Sequence, residues 1–169
     1  MAVAIVTDST AYLAPARVEQ LCAESGVGFE VVPLHVVVGG KEHREGIDVS
    51  AVDLGEALRR FVPVTTSRPA PQEFLEAYER LAAAGADSIV SVHISADMSA
   101  TVQGAHLAAA QSSVPVTVVD SRVIGMALGY AAVSAAQAAA AGADAASCAR
   151  VAAGRAQAAT VVFYVHTLE

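Results

Sequence analysis

Short apolar runs rich in β-branched residues alternate along this chain with segments whose apolar positions recur at helical spacing. AVAIVT (Ala2 to Thr7) reads as a first strand, followed by polar DST and then by Pro15, which suits a first helical turn, with Gly26 placed to stop that helix. EVVPLHVVV (Glu30 to Val38) meets Gly39 and Gly40 and then KEHRE, the pattern of a hairpin or an extended excursion. Ser50 with Asp53 three residues on resembles a capping box and opens a helix to about Phe61. Pro69, Pro71, Gln72 and Glu73 open another, which Gly85 closes. SIVSVHI (Ser88 to Ile94), VTVVD (Val116 to Asp120) and TVVFYV (Thr160 to Val165) predict further strands, separated by helices near Ser99 to Ser112, Ile124 to Ala141 and Ala145 to Gln157. The alternation predicts an α/β fold, a mostly parallel sheet covered by helices on both faces.

In open sheets of this kind a ligand sits outside the carboxyl ends of the strands, where helix N-termini also point. Polar clusters fall there: Asp8, Ser9 and Thr10; Ser95, Ser99 and Thr101; Asp120 and Ser121. Thr65, Thr66 and Ser67 form another, just before a helix start. Hydroxyls and free helical N–H groups at one edge can together hold a small anion. The same residue types are the preferred helix caps, so each cluster can equally serve its own helix.

Composition narrows the classes. With 169 residues the chain fits one domain, and its hydrophobic share of 54% is mostly Ala and Val, with Phe and Tyr at four each and no Trp. That reads either as a packing-rich interior with apolar surface to spare or as an alanine bias. Net charge is −7 and Lys41 is the only lysine, so no basic stripe exists to meet nucleic acid. Cys22 and Cys148 lie in helix-like segments and are expected as buried thiols, which points to a reducing cytoplasm. MAVAIVTDST has no charged leader pattern. Ile124 to Ala143 has the length of a membrane span but lacks large apolar side chains, so a buried helix and no span are expected.

Several chemistries lack their signatures. No GxSxG elbow surrounds a serine, and no GxGxxG or GxxxxGK[ST] loop follows a strand. The five histidines, His35, His43, His93, His106 and His166, show no metal-ligand spacing, so neither a metal nor a cofactor is expected. His93, beside the Ser95 loop, reads either as a donor to a ligand or as a satisfied core residue.

VTDSTAYL, VVPL, the glycine turn followed by EGIDVS, TTSRP, HISADMSATVQGA and VVDSRVIGMALG resemble, in order and over nearly the whole chain, the motifs of the DegV family of bacterial fatty-acid-binding proteins. The resemblance implies a carrier, not an enzyme. Family members hold a long-chain fatty acid between two domains, and some present it to a separate kinase subunit that phosphorylates the carboxylate. The family's TSQP motif falls on Thr66, Ser67, Arg68 and Pro69, and its SGT motif on Ser99, Ala100 and Thr101. The resemblance therefore makes Thr66, Ser67 and Ser99 the carboxylate contacts, Ser95 and Thr101 their support, and Asp8 and Ser9 loop braces. Ala100 stands where the family has Gly, which disfavours positive φ. Arg68 replaces Gln, adding a cation near the head group or pointing to solvent, and Gly104 replaces the more usual Ser.

In the family a second domain follows TLE and supplies an Arg, a His and the far wall of a lipid tunnel. Residues 1 to 169 are accordingly expected to form the N-terminal α/β domain of a truncated chain, with an exposed apolar face prone to self-association and weak or no lipid binding alone. Buried methylenes at about 0.8 kcal/mol each would give a sixteen-carbon tail on the order of 10 kcal/mol gross, so the tail would supply affinity and the hydroxyls orientation. Two other readings stay open: a phosphotransfer α/β domain using His93, His106 or His166 as phosphate acceptor, and a small-ligand regulatory domain with no lipid role.

Overall fold

The structure, a computed structural model, describes residues 2–162. β1 (Val3–Asp8), β2 (Phe29–Val32), β6 (Ser88–His93) and β7 (Val116–Asp120) form a four-stranded parallel sheet in the order β2-β1-β6-β7. β3 (His35–Val38), β4 (Lys41–Arg44) and β5 (Val64–Ser67) form a separate antiparallel sheet in the order β4-β3-β5. The helices are α1 (Pro15–Ser25), α2 (Ala51–Arg59), α3 (Pro71–Ala83), α4 (Thr101–Ala109), α5 (Met126–Ala140) and α6 (Ala145–Gln157).

Both faces of the central strands are buried, which is why β1 and β6 read as unbroken apolar runs. Alternation along β1 sends Val3 and Ile5 to one face, where Leu21 of α1, Leu128 and the alanines of α5, and Cys148, Ala152 and Ala156 of α6 pack. Ala4 and Val6 go to the other, against Phe74, Ala77 and Tyr78 of α3 and Ala105 and Ala108 of α4. The alanine content is thus a packing feature: Ala131, Ala132, Ala135 and Ala136 are fully buried and let α5 lie close to its neighbours. Within the described residues no helix is long and apolar enough to cross a membrane.

Local signals set most boundaries. Pro15 opens α1 and Gly26, at φ 66, closes it. Ser50 and Asp53 form the expected capping box of α2. Three expectations are corrected. Glu30–Val38 is not one run, because Pro33 offers no N–H and the chain leaves the parallel sheet there to enter the small one. Thr65, Thr66 and Ser67 do stand just before a helix start, that of α3, and they lie in a strand, paired to Val37, Val36 and His35. Cys22 is half-buried, its thiol near the Phe29 carbonyl, whereas Cys148 is buried as expected. Of the strand expected at Thr160 to Val165, residues 160–162 are not in a strand and the remainder lies outside the described residues.

Candidate functional site

In the order β2-β1-β6-β7 the connections run outward in opposite directions from β1 and β6, so the topological switch point lies between these two strands. Asp8 ends β1 and His93 ends β6, side by side at that point and fully buried. His93 Nδ1 lies 3.0 Å from Asp8 Oδ2, and its Nε2 lies 2.6 Å from Ser91 Oγ, which in turn is 2.8 Å from the Tyr78 hydroxyl. A chain in which Tyr78 donates to Ser91, Ser91 to Nε2, and Nδ1–H to Asp8 leaves no donor unused. Asp8 also accepts the Ile94 N–H at 3.0 Å and, through its other oxygen, the N–H and hydroxyl of Thr10. Burial opposes the charge on Asp8, but the bond from His93, the attraction to its ring and the bonds from Thr10 and Ile94 prevail, holding the carboxyl below the usual carboxylate range. Burial pushes the Tyr78 phenol up to about 12.

Asp8, His93 and Ser91 follow one another as in a hydrolase triad, yet Ser91 has no exposure and is bonded on both sides. No substrate carbonyl can reach it. His93 is likewise inaccessible to a phosphodonor, with both ring nitrogens engaged, and it meets Phe74 edge-on with ring centroids 5.0 Å apart. Of the other candidate acceptors, His106 sits exposed on α4, away from the strand ends, and His166 lies outside the described residues. His93 is the satisfied core residue of the two alternatives.

The loops above the switch point are laced together by side chains. Ser9 Oγ accepts the Leu34 N–H at 2.9 Å and donates to Glu45, joining the turn after β1 to the small sheet. Asp120 Oδ1 accepts from the N–H groups of Ala96 and Arg122, tying the loop after β6 to that after β7. Ser95 is buried, its hydroxyl accepting the Asp97 N–H at 3.3 Å. Ser99 Oγ is 2.8 Å from Thr101 Oγ1 and accepts the Thr101 N–H at 3.3 Å, which delays the start of α4 to Thr101. Ala100 has φ −78, so the methyl that replaces hydrogen here strains nothing. The N–H groups of Val102 and Gln103, in the first turn of α4, have no intrahelical acceptor.

Thr66 and Ser67 stand apart from this network: both are exposed, with no side-chain hydrogen bond among the described residues. Consecutive in β5, they face opposite sides of the strand. Their connection to the Ser99 loop runs through backbone, since a β-carbon on Gly104 would lie 3.6 Å from the Pro69 carbonyl oxygen. The segment after Ser67 is therefore packed on the first turn of α4. Beyond Ser9, an apolar cavity of about 500 Å³ opens between α1, the Val31–Pro33 bend and the segment leading into α2, lined chiefly by Tyr12, Leu13, Val18, Val31, Ile47 and Leu54. Sequence reasoning missed this cavity and the Ser91–Tyr78 extension. The signal for the latter was present, because Ser91 and His93 share one face of an otherwise apolar strand. Within the described residues no cluster of His, Cys, Asp and Glu could hold a metal ion.

These features define a doubly covered α/β fold whose switch point is filled by a closed polar chain, with the uncommitted hydroxyls of Thr66 and Ser67 on β5 and the paired hydroxyls of Ser99 and Thr101 at the start of α4. A family model described as "Uncharacterised protein, DegV family" matches residues 2–169. The chain belongs to the DegV family. It is 48% identical over 167 residues to a DegV domain-containing protein of Streptomyces coelicolor, covering 99% of this chain and 57% of that one. Among solved structures it resembles a DegV family protein from Thermus thermophilus described as fatty-acid-binding, with TM-score 0.82 and 30% identity over 93% of this chain and 54% of that one. It also resembles DegV from Bacillus subtilis, described as a fatty acid binding protein, with TM-score 0.81 and 27% identity over 93% and 54% of the two chains. The chain thus spans little more than half the length of the relatives it matches.

Proposed function

We propose that this chain binds a long-chain fatty acid and acts as a carrier without chemistry of its own. Thr66, Ser67 and Ser99 would contact the carboxylate, and Thr101 and Ser95 would hold the α4 turn that presents Ser99. Asp8 and Ser9 would brace the loops. The observation that carries this reading is the likeness to the Thermus thermophilus fatty-acid-binding protein across nearly all of this chain. Local geometry supports it: the hydroxyls of Thr66 and Ser67 are uncommitted, and Ser99 lies two residues before α4, whose first turn has N–H groups without an intrahelical acceptor, suited to an anion. The apolar cavity has a volume in the range of small-ligand sites and offers a place for hydrocarbon.

Around the same edge Tyr12, Ile47 and Met98, in the loops that follow β1, β4 and β6, and Met126, the first residue of α5, are each at least two-fifths exposed. In a protein of the relatives' length, the remaining chain would cover this rim and close the site. Left open, the rim would draw copies of the chain together. A kinase subunit would be the acceptor to which the carrier presents its carboxylate.

Titration of ¹⁵N-labelled protein with dodecanoate tests the head-group assignment, because amide shifts register weak as well as tight binding. Shift changes are expected to concentrate at Thr66, Ser67 and Ser99 to Gln103. Ser99→Ala is expected to weaken binding about tenfold, the usual effect of removing one hydrogen bond to a charged group. The reading requires that binding by residues 1–169 alone be weak rather than absent: saturable binding that leaves these amides unmoved would refute the assignment, and absence of binding at millimolar dodecanoate would refute the lipid reading for this chain.

A further inference from the structure

His35 begins β3 directly opposite Ser67 of β5, so the two side chains share a face of the small sheet. Its ring is held from both sides by carboxylates. Nδ1 lies 2.8 Å from Glu42 Oε1 on β4, and Nε2 lies 3.0 and 2.9 Å from the two oxygens of Glu73 on α3. Glu73 in turn accepts the Ala70 N–H at 2.7 Å and so caps α3. The segment Ser67 to Ala70 is therefore clamped at one end by strand pairing to His35 and at the other by the carboxylate that His35 grips. The same segment carries Pro69, whose carbonyl packs against Gly104 in the first turn of α4.

A ring with protons on both nitrogens donates to both glutamates. A ring with one proton turns a lone pair onto a carboxylate and must release Glu42 or Glu73. We propose that His35 is a positioning residue whose protonation locks the Ser67–Ala70 segment against α4, so that the head-group site firms as pH falls and loosens as pH rises. This rests on the fatty-acid reading only for what the site holds; the coupling of ring to strand stands without it. The charged groups facing the ring are Glu42 and Arg44 from β4 and Glu73 from α3, with Arg44 committed to Asp48 at 2.9 Å. From β5 the ring meets Ser67, which carries no charge.

The sign follows from the pairing. The ring with two protons donates to Glu42 and to Glu73 at once, whereas the ring with one proton keeps only one of these bonds, so the tie is complete at the acid end of the range and incomplete at the alkaline end. Lipid-free, ¹³C,¹⁵N-labelled protein titrated from about pH 5.5 to 8.5 tests this directly, the His35 ring shifts reporting protonation and the Ser67, Arg68 and Ala70 amides reporting the segment. The amides are expected to share the midpoint of the ring. In H35R, whose guanidinium offers donors to both glutamates at every pH, they are expected to stay near their low-pH positions. Amides indifferent to the His35 titration, or an unchanged excursion in H35R, would overturn the proposal. A second arm compares dodecanoate affinity at pH 6 and pH 8, expected to differ about fivefold more in the natural protein than in H35R. Equal pH ratios in the two proteins would overturn the link to binding. Failure of dodecanoate to bind either one would count against the lipid reading, and the lipid-free titration would still decide the role of His35.

Discussion

Replacing Asp8 with alanine is expected to lower the unfolding free energy by about 3–5 kcal/mol, the usual loss when one partner of a buried, charge-assisted network is removed. The size follows from what is left behind. Asp8 is the common acceptor for His93 Nδ1–H, the Ile94 N–H and the Thr10 N–H and hydroxyl, all in a site closed to water. Truncation orphans these donors together, and an orphaned buried donor costs about 1–3 kcal/mol. Asp8→Asn separates charge from geometry. An asparagine has one oxygen for two groups of donors, so its NH₂ must face either Thr10 or the His93–Ile94 pair. Its cost is expected to lie between that of alanine and zero. Urea unfolding of the three proteins provides the measurement, and a loss below about 1 kcal/mol for D8A would show that the network is not the tie it is drawn as.

The same carboxylate makes stability depend on acid. Its folded pKa lies below the unfolded value of about 3.9, so the native state binds fewer protons in that range. The stabilisation is fully present above the unfolded value and is lost as pH falls through the folded one. Natural protein should therefore lose stability below about pH 4 more steeply than D8N. Because Asp8 and Ile94 begin the turns that lead to Ser9 and Ser95, loosening this tie should also disturb the loops on which the proposed carboxylate contacts depend.

How far the sequence discloses this arrangement varies with the distance over which each contact acts. The strands β1 and β6, the start of α1 and the whole of α6 are set by neighbours: an apolar run, a proline at the first turn, an aspartate whose side chain accepts the Ser147 N–H. The DegV motifs gave the family directly, and the comparison with known proteins bears it out. Thr65 to Ser67 could not be read as a strand because the residues are polar and few, and their pairing with β3 comes from about thirty residues earlier in the chain. The Asp8–His93 bond spans 85 residues, and no local pattern announces a partner that far away. His35 was legible only as part of an apolar stretch. Its meaning comes from Glu42 across a hairpin and Glu73 on a helix beyond two further elements. The hydroxyls themselves were legible as residue types at strand ends, but not their division into committed ones, such as Ser9 and Ser95, and open ones, such as Thr66 and Ser67.

Glycine offers the second large effect, because two helical glycines should respond to the same substitution with opposite signs. In α5, a β-carbon at Gly129 would sit 2.6 Å from the Ala11 carbonyl oxygen and 3.2 Å from Leu13 Cδ2, so helix and turn must part. In α6, nothing lies within 4 Å of the corresponding point at Gly154. Alanine gains about 0.5–1 kcal/mol over glycine inside a helix, and at Gly154 nothing opposes that gain. At Gly129 overpacking against backbone costs about 1–3 kcal/mol, and the carbonyl cannot rotate away, since it belongs to the turn that the neighbouring Thr10 carbonyl anchors to Gly125 N–H at 2.9 Å. Gly154→Ala is therefore expected to raise the unfolding free energy by up to about 1 kcal/mol and Gly129→Ala to lower it by about 2 kcal/mol. Gly129→Val, with two more carbons in the same gap and a β-branched penalty in the helix, should lower it further. The turn that must give way is the one carrying Ser9, Tyr12 and Leu13 to the wall of the apolar cavity. G129A should accordingly shift the Ser9 and Leu34 amide resonances where G154A leaves them in place. Equal stability changes in the two alanine variants would mean that α5 does not approach the β1 turn this closely, and the cavity wall would then lack its support.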